Sequence, residues 1–263
     1  METIVTLDSE CKIDRYSMFN SYLLVNKNFS CFHFHGLSNQ KCIGLIDKIH
    51  SLNKKVYILL DRVMFDEDIC RIKRYIKELI KHQVDGYFIS DLGLIELFKE
   101  IGLIEKVFYY SQTQIVSQME LDTFCSLKLK GVFVSKDYKL DHALKISNQY
   151  SIGINVFGYR NLFYSRRQLL SAYKSEFNEK GKFYQTDKYL IKEKKRDIRN
   201  PIFENKYGTY IFTHEPLSLF SRFNEIKNSG VKYILFDDNL IDCDHFIDEI
   251  KPFFDLKEGD LIG

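Results

Sequence analysis

The chain has 263 residues, of which 45% are hydrophobic and 28% charged. This balance is typical of a globular protein with a full core, and it excludes intrinsic disorder for most of the chain. The formal net charge is +2, but residues 158–200 hold twelve Lys or Arg against five Asp or Glu, a net of +7 that leaves −5 for the remainder. A basic segment on a mildly acidic body favours a local anionic partner, although a solvated charged helix would have the same composition.

The sequence predicts no membrane-spanning helix, because it contains no run of about 18 apolar residues. The N-terminus METIVTLDSE has no basic stretch followed by an apolar one, so no secretory signal is expected and a cytoplasmic location is predicted. The six cysteines lie at least eleven residues apart and contain no CxxC pair, so we expect free thiols and no structural zinc.

Short apolar runs alternate with longer amphipathic runs over the first 155 or so residues. The short runs are continuous and rich in β-branched and aromatic residues, which is typical of strands buried on both faces. The predicted strands are residues 3–6, 22–25, 55–60, 87–90, 107–110, 131–134 and 153–157, with an eighth at 232–236. Helical periodicity predicts helices over residues 42–52, 66–82, 92–100, 119–129 and 140–150.

Strand and helix alternation at this spacing predicts an α/β fold with a parallel sheet, closed as a TIM-type (β/α) barrel. A doubly wound open sheet is the alternative, but the GxGxxG and GxxxxGK[ST] motifs of nucleotide-binding sheets are absent. We expect a single domain over residues 1–263, with residues 158–215 as a basic insertion or loop region after the seventh strand. Loops that follow barrel strands surround the catalytic face, so this insertion is expected at the barrel mouth.

Polar residues follow two predicted strands. Asp91 ends the fourth strand, where it can bind a ligand or cap the next helix. Gln112 and Gln114 follow the fifth strand within the run SQTQ, where they can line a ligand site or form an ordinary turn. His33 and His35 would face one side of an extended segment, but no third metal ligand is indicated, so we favour a polar face of a loop or strand and predict no metal site.

The basic segment combines arginines with aromatic residues. Arg guanidinium groups bind phosphates or carboxylates through two hydrogen bonds, and aromatic rings stack on bases. The candidate ligand or RNA contacts here are Tyr159, Tyr164, Ser165, Arg166, Arg167, Arg196 and Arg199. The alternative is a salt-bridged surface segment. No GxSxG, HExxH or other nucleophile motif is present, so no catalytic residue is assigned.

Four stretches, in this order along the chain, resemble the collagenase-like peptidase family, peptidase family U32. They are DGYFISDLG at 85–93, SQTQ at 111–114, GYRNLFYSRRQLLSAY at 158–173 and RDIRNPIFENKYGTYIFT at 196–213. The last stretch is similar to the family's RD–YP–E–GT–I pattern. The third and fourth are specific, and the resemblance covers roughly residues 4–240.

The resemblance implies a barrel-type α/β fold and a cytoplasmic bacterial protein. The branch it most resembles is linked to 5-hydroxyuridine formation at the tRNA wobble position, which implies tRNA as partner and allows a small carboxylate co-substrate. Two alternatives stay open: a collagenase-like protease, as the family name implies, and a non-catalytic subunit that pairs with a paralogue. Many members hold an iron–sulfur cluster through cysteines, one of them in the stretch that matches residues 158–171. This chain has no cysteine there, so no cofactor is evident and a cluster is not expected.

Overall fold

A computed structural model describes residues 1–111, 115–135, 137–177 and 189–254. The chain forms two compact units. The first, the barrel unit, joins Met1–Gly158 to the chain from Ser218 onward, and the second, the basic unit, is Tyr159–Leu217. Each unit is described by itself below.

The barrel unit is a closed ring of eight parallel strands. The strands are β1 (Glu2–Leu7), β2 (Ser21–Val25), β3 (Lys55–Leu60), β4 (Gly86–Ile89), β5 (Val107–Tyr110), β6 (Gly131–Phe133), β7 (Ile152–Gly158) and β13 (Tyr233–Phe236). Their order around the ring is β7-β13-β1-β2-β3-β4-β5-β6, and pairing of β6 with β7 closes it. The predicted (β/α) barrel is therefore confirmed, and all eight predicted strands are present within one or two residues at each end.

Helices follow the strands and cover the outside of the ring. They are α1 (Asn39–Ser51), α2 (Asp66–Lys81), α3 (Leu92–Glu100), α4 (Gln118–Cys125), α5 (Leu140–Ile146), α7 (Phe223–Lys227) and α8 (Cys243–Phe254). The predicted ends of α4 and α5 are wrong by about four residues. After α4 the chain reverses through Lys128, whose φ of +60° is incompatible with a continuing helix. No helix within the described ranges has the length and apolarity needed to cross a bilayer.

The barrel interior is filled by aromatic and branched side chains. The members of this interior cluster are Ile4, Leu23, Val25, Tyr57, Leu59, Phe88, Phe108, Tyr110, Phe133 and Leu235. A glycine makes room for one of these rings, because a Cβ on Gly153 would lie 2.5 Å from the ring of Phe133. The larger second cluster packs the outer face of the strands against the helices. Together the two clusters make the barrel a filled core, as in other barrels of this size.

The basic unit is a four-stranded antiparallel sheet with one helix. Its strands are β8 (Asn161–Ser165), β9 (Tyr189–Lys192), β10 (Arg199–Asn205) and β11 (Gly208–Phe212), in the order β8-β11-β10-β9, and α6 spans Leu169–Glu176. A two-residue strand, β12 (Leu217–Ser218), ends the insertion. The sequence analysis does not predict these strands, which lack the uniform burial of the barrel strands. Their exposed residues include the apolar Leu162 and Leu190, and their buried residues include Glu204 and Thr209.

Candidate functional site

The barrel interior changes from apolar to polar where three strands reach their carboxyl ends. Because side chains alternate along a strand, residues two positions apart face the same side. At the carboxyl end of each of the three strands, a polar residue lies two positions after an apolar member of the interior cluster. These pairs are Ile4 and Thr6, Leu59 and Asp61, and Leu235 and Asp237. We define the barrel mouth as Thr6, His33, Asp61, Asp237 and Asp238, all of which are buried. The carboxyl ends of barrel strands are the end at which TIM-type enzymes place their active sites.

An ion pair between His33 and Asp237 lies at the centre of the barrel mouth. The distance from His33 Nε2 to Asp237 Oδ1 is 3.2 Å. Burial alone would lower the pKa of His33, but the charge of Asp237 and its hydrogen bond outweigh burial and raise the pKa to about 9. The same contact lowers the pKa of Asp237 against the opposing effect of its burial. At neutral pH the imidazole is therefore protonated and the Asp237 carboxylate is ionised.

Asp238 is held entirely by neighbouring side chains. Its Oδ2 accepts hydrogen bonds from Tyr16 Oη at 2.7 Å and Lys12 Nζ at 2.5 Å. The Thr6 hydroxyl lies 2.8 Å from Asp238 Oδ1 and 3.1 Å from Asp237 Oδ1, so it can donate to either carboxylate. This bonding joins the end of β1 to the end of β13 and gives Asp238 a structural role.

Asp61 is bonded on one oxygen only. Its Oδ1 accepts a hydrogen bond from the Cys31 backbone N–H at 2.9 Å, whereas Oδ2 has no hydrogen-bond partner among the described residues. Burial raises the pKa of Asp61 to about 6, partly offset by the charge of His33 and the Cys31 N–H. The hydrogen bond from Cys31 attaches the loop after β2 to the end of β3. His33 lies two residues after Cys31 in the same loop, so the bond helps to place His33 in the barrel mouth.

His33 and His35 lie in the loop after β2 and do not face the same side, as they would in an extended segment. His33 is buried while His35 is exposed. The two aspartates were missed, although each directly follows a predicted strand, in Leu60-Asp61 and Phe236-Asp237. Polar residues immediately after buried strands were the signal that could have found them.

In the basic unit, Arg166 and Arg167 lie between β8 and α6, and both are exposed. Buried Glu204 accepts hydrogen bonds from the Leu170 N–H at 2.8 Å and from the Ser171 N–H at 3.3 Å, so it binds the free amides at the start of α6. Thr209 Oγ1 donates to the Arg167 carbonyl at 2.8 Å. These bonds fix the backbone that carries the two arginines.

Three positions of the 196–213 motif, Glu204, Gly208 and Thr209, have structural roles in the basic unit. Gly208 has a φ of +144°, and a Cβ there would lie 2.1 Å from the Ser165 carbonyl oxygen. Only glycine allows β11 to start against the end of β8 in this conformation. The motif holds the segment of Ser165, Arg166 and Arg167 in place.

The four predicted arginines do not converge. Arg196 lies in the connection between β9 and β10, and Arg199 starts β10 beside Lys192. Ser165 pairs with Thr209 and Thr209 pairs with Glu204, so Arg166 and Arg167 lie at the opposite end of the sheet. Five residues of β10 separate the two ends, about 17 Å at 3.4 Å per residue. The basic unit thus carries two separate arginine pairs.

The predicted aromatic contacts are half-buried. Tyr164 stacks on Tyr210 with ring centroids 5.1 Å apart, and its hydroxyl donates to the Tyr207 carbonyl at 3.2 Å. The pKa of Tyr159 is raised by burial and by the charge of Glu215. The Ser165 hydroxyl accepts a hydrogen bond from the Arg167 N–H at 3.2 Å. These residues support the arginine segment, and their contact with a ligand stays a prediction.

Asp91 caps α3, as one of its two interpretations predicts. Its Oδ1 accepts from the Gly93 N–H at 2.7 Å, and its Oδ2 accepts from the Met64 N–H at 2.8 Å. Both carboxylate oxygens thus hold the backbone at the carboxyl ends of β3 and β4. Gln112 and Gln114 lie outside the described residues.

The six cysteines are dispersed through the barrel unit, each in a different element or loop. Within the described ranges, no group of three or more His, Cys, Asp or Glu side chains is placed to hold a metal ion. The absence of a cluster stays a prediction.

A family model described as Peptidase family U32 matches residues 23–238. The chain belongs to peptidase family U32. The Helicobacter pylori "tRNA hydroxylation protein P" is 23% identical over 194 residues, which are 70% of this chain and 46% of that protein. The Bacillus subtilis "tRNA hydroxylation protein P2" is 19% identical over 224 residues, 82% of this chain and 72% of that protein. This U32 chain thus spans about half the length of the first of these relatives.

Among solved structures, the U32 peptidase Mk0906 has the same fold. Its TM-score is 0.58 at 13% identity, and the match covers 90% of this chain and 92% of that chain. At this identity the likeness shows the fold alone.

Proposed function

We propose that this U32 protein takes part in 5-hydroxylation of the wobble uridine of tRNA, and that the basic unit contacts the RNA. The observation that carries the proposal is the exposed pair of Arg166 and Arg167, on a segment whose backbone is hydrogen-bonded by Thr209 at Arg167 and by Glu204 at Leu170. Guanidinium groups on a fixed backbone suit a phosphate backbone. The relatives named tRNA hydroxylation proteins support tRNA as the nucleic acid.

The basic charge supports the same assignment. Residues 158–200 carry a net charge of +7, whereas the rest of the chain sums to −5. Such a distribution attracts a polyanion to one part of the molecule. A small carboxylate co-substrate could bind the same arginines, and a paralogous subunit could complete the active assembly. Both belong to the proposal, as does the cytoplasmic location.

The direct test is the salt dependence of tRNA binding by the purified protein. Removal of one cation that binds a phosphate should reduce the slope of log K against log [salt] by about 0.7–0.9. We expect Arg166→Ala with Arg167→Ala to weaken binding and to flatten this slope. Arg74→Ala with Lys77→Ala removes two exposed cations of the barrel unit and serves as the matched control. Because the second arginine pair is at the other end of the sheet, Arg196→Ala with Arg199→Ala shows separately whether the RNA reaches that end.

An unchanged slope in the Arg166 and Arg167 variant would contradict the RNA proposal. That result would favour the alternative of a collagenase-like protease, which the family name suggests. That alternative requires cleavage of gelatin or casein by the pure protein, abolished by a single side-chain substitution.

A further inference from the structure

Three polar atoms at the carboxyl end of the barrel are shielded from solvent and have no hydrogen-bond partner among the described residues. They are His33 Nδ1, Asp61 Oδ2 and Asn155 Oδ1. His33 is 7% exposed and Asp61 is 1% exposed, so bulk water does not satisfy them. Buried polar groups in folded proteins are nearly always hydrogen-bonded, and leaving one unpaired costs free energy. These three atoms are therefore candidates for hydrogen bonds to a ligand group.

Each of these atoms is aimed by a bond on the other side of its own group. His33 is held through Nε2 by Asp237, and Asp61 is held through Oδ1 by the Cys31 N–H. The Asn155 amide donates from Nδ2 to the Tyr110 hydroxyl at 3.3 Å, which leaves its Oδ1 as the free acceptor. The three groups are therefore preorganised, with one donor and two acceptors left over.

His33 and Asp61 are neighbours. His33 contacts Asp237 and lies two residues after Cys31, whose backbone binds Asp61, and the charges of His33 and Asp61 shift each other's pKa. Asn155 lies on β7 and pairs across the sheet with Leu235, two residues before Asp237.

The charge of the barrel mouth limits the ligand chemistry. Asp61, Asp237 and Asp238 are opposed by His33 and Lys12, so the cluster has no positive charge to spare for a carboxylate or phosphate. Two unpaired acceptors require N–H or O–H donors, and the unpaired imidazolium N–H requires an acceptor next to them. We propose that the barrel mouth binds a neutral group with a hydrogen-bond donor beside an acceptor.

Two chemical sources present this arrangement: the imide edge of a uracil base, with N–H between two carbonyls, and adjacent hydroxyls of a sugar. The choice of uracil rests on the proposed function in tRNA. The site itself rests only on the unpaired atoms of His33, Asp61 and Asn155. Uracil in this site would be read by Asp61 at its N–H and by His33 at a carbonyl oxygen.

The test is binding of small neutral probes to the full chain, measured by ligand-observed NMR and calorimetry. The probes are uridine, 3-methyluridine, which lacks the imide N–H, and ribose. We expect uridine to bind and 3-methyluridine to bind at least roughly tenfold more weakly, because a site built to accept an N–H rejects the analogue without it. Ribose binding as well as uridine, with no effect of the methyl group, would assign the site to hydroxyls. Absence of binding by every probe would overturn the proposal.

Two variants locate the binding. Asp61→Asn keeps an oxygen for the Cys31 N–H and turns the unpaired acceptor into a donor, so uridine binding should fall by at least roughly tenfold. Asn155→Ala removes the second acceptor without changing a charged group, and it covers the case in which Asp61→Asn fails to fold. Asp66→Asn, on the first turn of α2, is the control. Unchanged uridine binding in both variants would contradict the site. If no probe binds but the Arg166 and Arg167 variant still has a flattened salt slope, the site is refuted and the RNA proposal is not.

Discussion

At the residue scale, His33 ties the loop after β2 to the end of β13. Because its folded pKa of about 9 is above the unfolded value near 6.5, its pairing with Asp237 stabilises the fold most below pH 6.5. This stability is lost as the pH rises through 9. The pKa of Asp61, about 6, places its own titration below this window.

We therefore expect the free energy of unfolding to fall by about 3 kcal/mol between pH 6.5 and 9.5, since one pKa unit corresponds to about 1.4 kcal/mol. His33→Gln should lose this dependence. His35→Gln, two residues along the same loop and exposed, should retain it. Urea unfolding at both pH values measures the difference, and an equal pH dependence in wild type and His33→Gln would refute the ion-pair assignment.

Glu204 holds the start of α6 in the basic unit. It is buried and accepts hydrogen bonds from two backbone amides of α6. We expect Glu204→Ala to destabilise the basic unit by about 1–2 kcal/mol, because it removes the side-chain acceptor of the amides in the first turn of α6. Amide hydrogen exchange at Leu170 and Ser171 should accelerate. Glu215→Ala, at an exposed position of the same unit, should leave both rates unchanged, and protection that survives Glu204→Ala would disprove the capping role.

At the element scale, two glycines show how differently barrel strands and surface helices use a missing side chain. A Cβ at Gly153 in β7 would lie 2.5 Å from the Phe133 ring, whereas a Cβ at Gly44 in α1 would meet nothing within 4 Å. Gly153→Ala should cost about 1–3 kcal/mol through overpacking of the barrel interior. Gly44→Ala should stabilise by about 0.5–1 kcal/mol, because alanine favours helix over glycine. Thermal unfolding of the pair measures both signs, and stabilisation by both substitutions would show that the interior is loosely packed.

The elements that the sequence predicted best are those with a continuous signal. The barrel strands are buried on both faces, so each is a readable apolar run, and α2 shows its period from Ile72 to Leu79. Strands β8 to β11 mix the two signals, because Glu204 and Thr209 are buried whereas Leu162 and Leu190 are exposed. Their pairing depends on contacts between distant parts of the chain, which local patterns do not report.

At the scale of the whole molecule, only part of the candidate site could be predicted from the sequence. Composition located the basic unit, but it could not show that Arg166 and Arg167 lie at one end of a sheet and Arg199 at the other. The barrel mouth requires Asp61, Asp237 and His33 to meet from three separate segments. Ring closure brings these segments together. The sequence predicts the barrel, and the positions of Asp61 and Asp237 directly after strands were readable, but the fold of the loop that buries His33 was not.

The molecule therefore has two chemically opposite parts. The barrel mouth is acidic and buried, whereas the arginine pairs of the basic unit are exposed. We expect RNA phosphate to engage the basic unit and a neutral group to enter the barrel mouth, because the acidic mouth repels phosphate and the exposed arginines attract it.

Mass spectrometry of tRNA nucleosides from the host, after deletion of this gene and of any paralogue, tests the proposed role in wobble-uridine hydroxylation. We expect 5-hydroxyuridine and its derivatives to disappear. They should return with the wild-type chain or with Arg74→Ala and Lys77→Ala, and not with Arg166→Ala and Arg167→Ala. Unchanged nucleosides after the deletion, or full restoration by the Arg166 and Arg167 variant, would contradict this role.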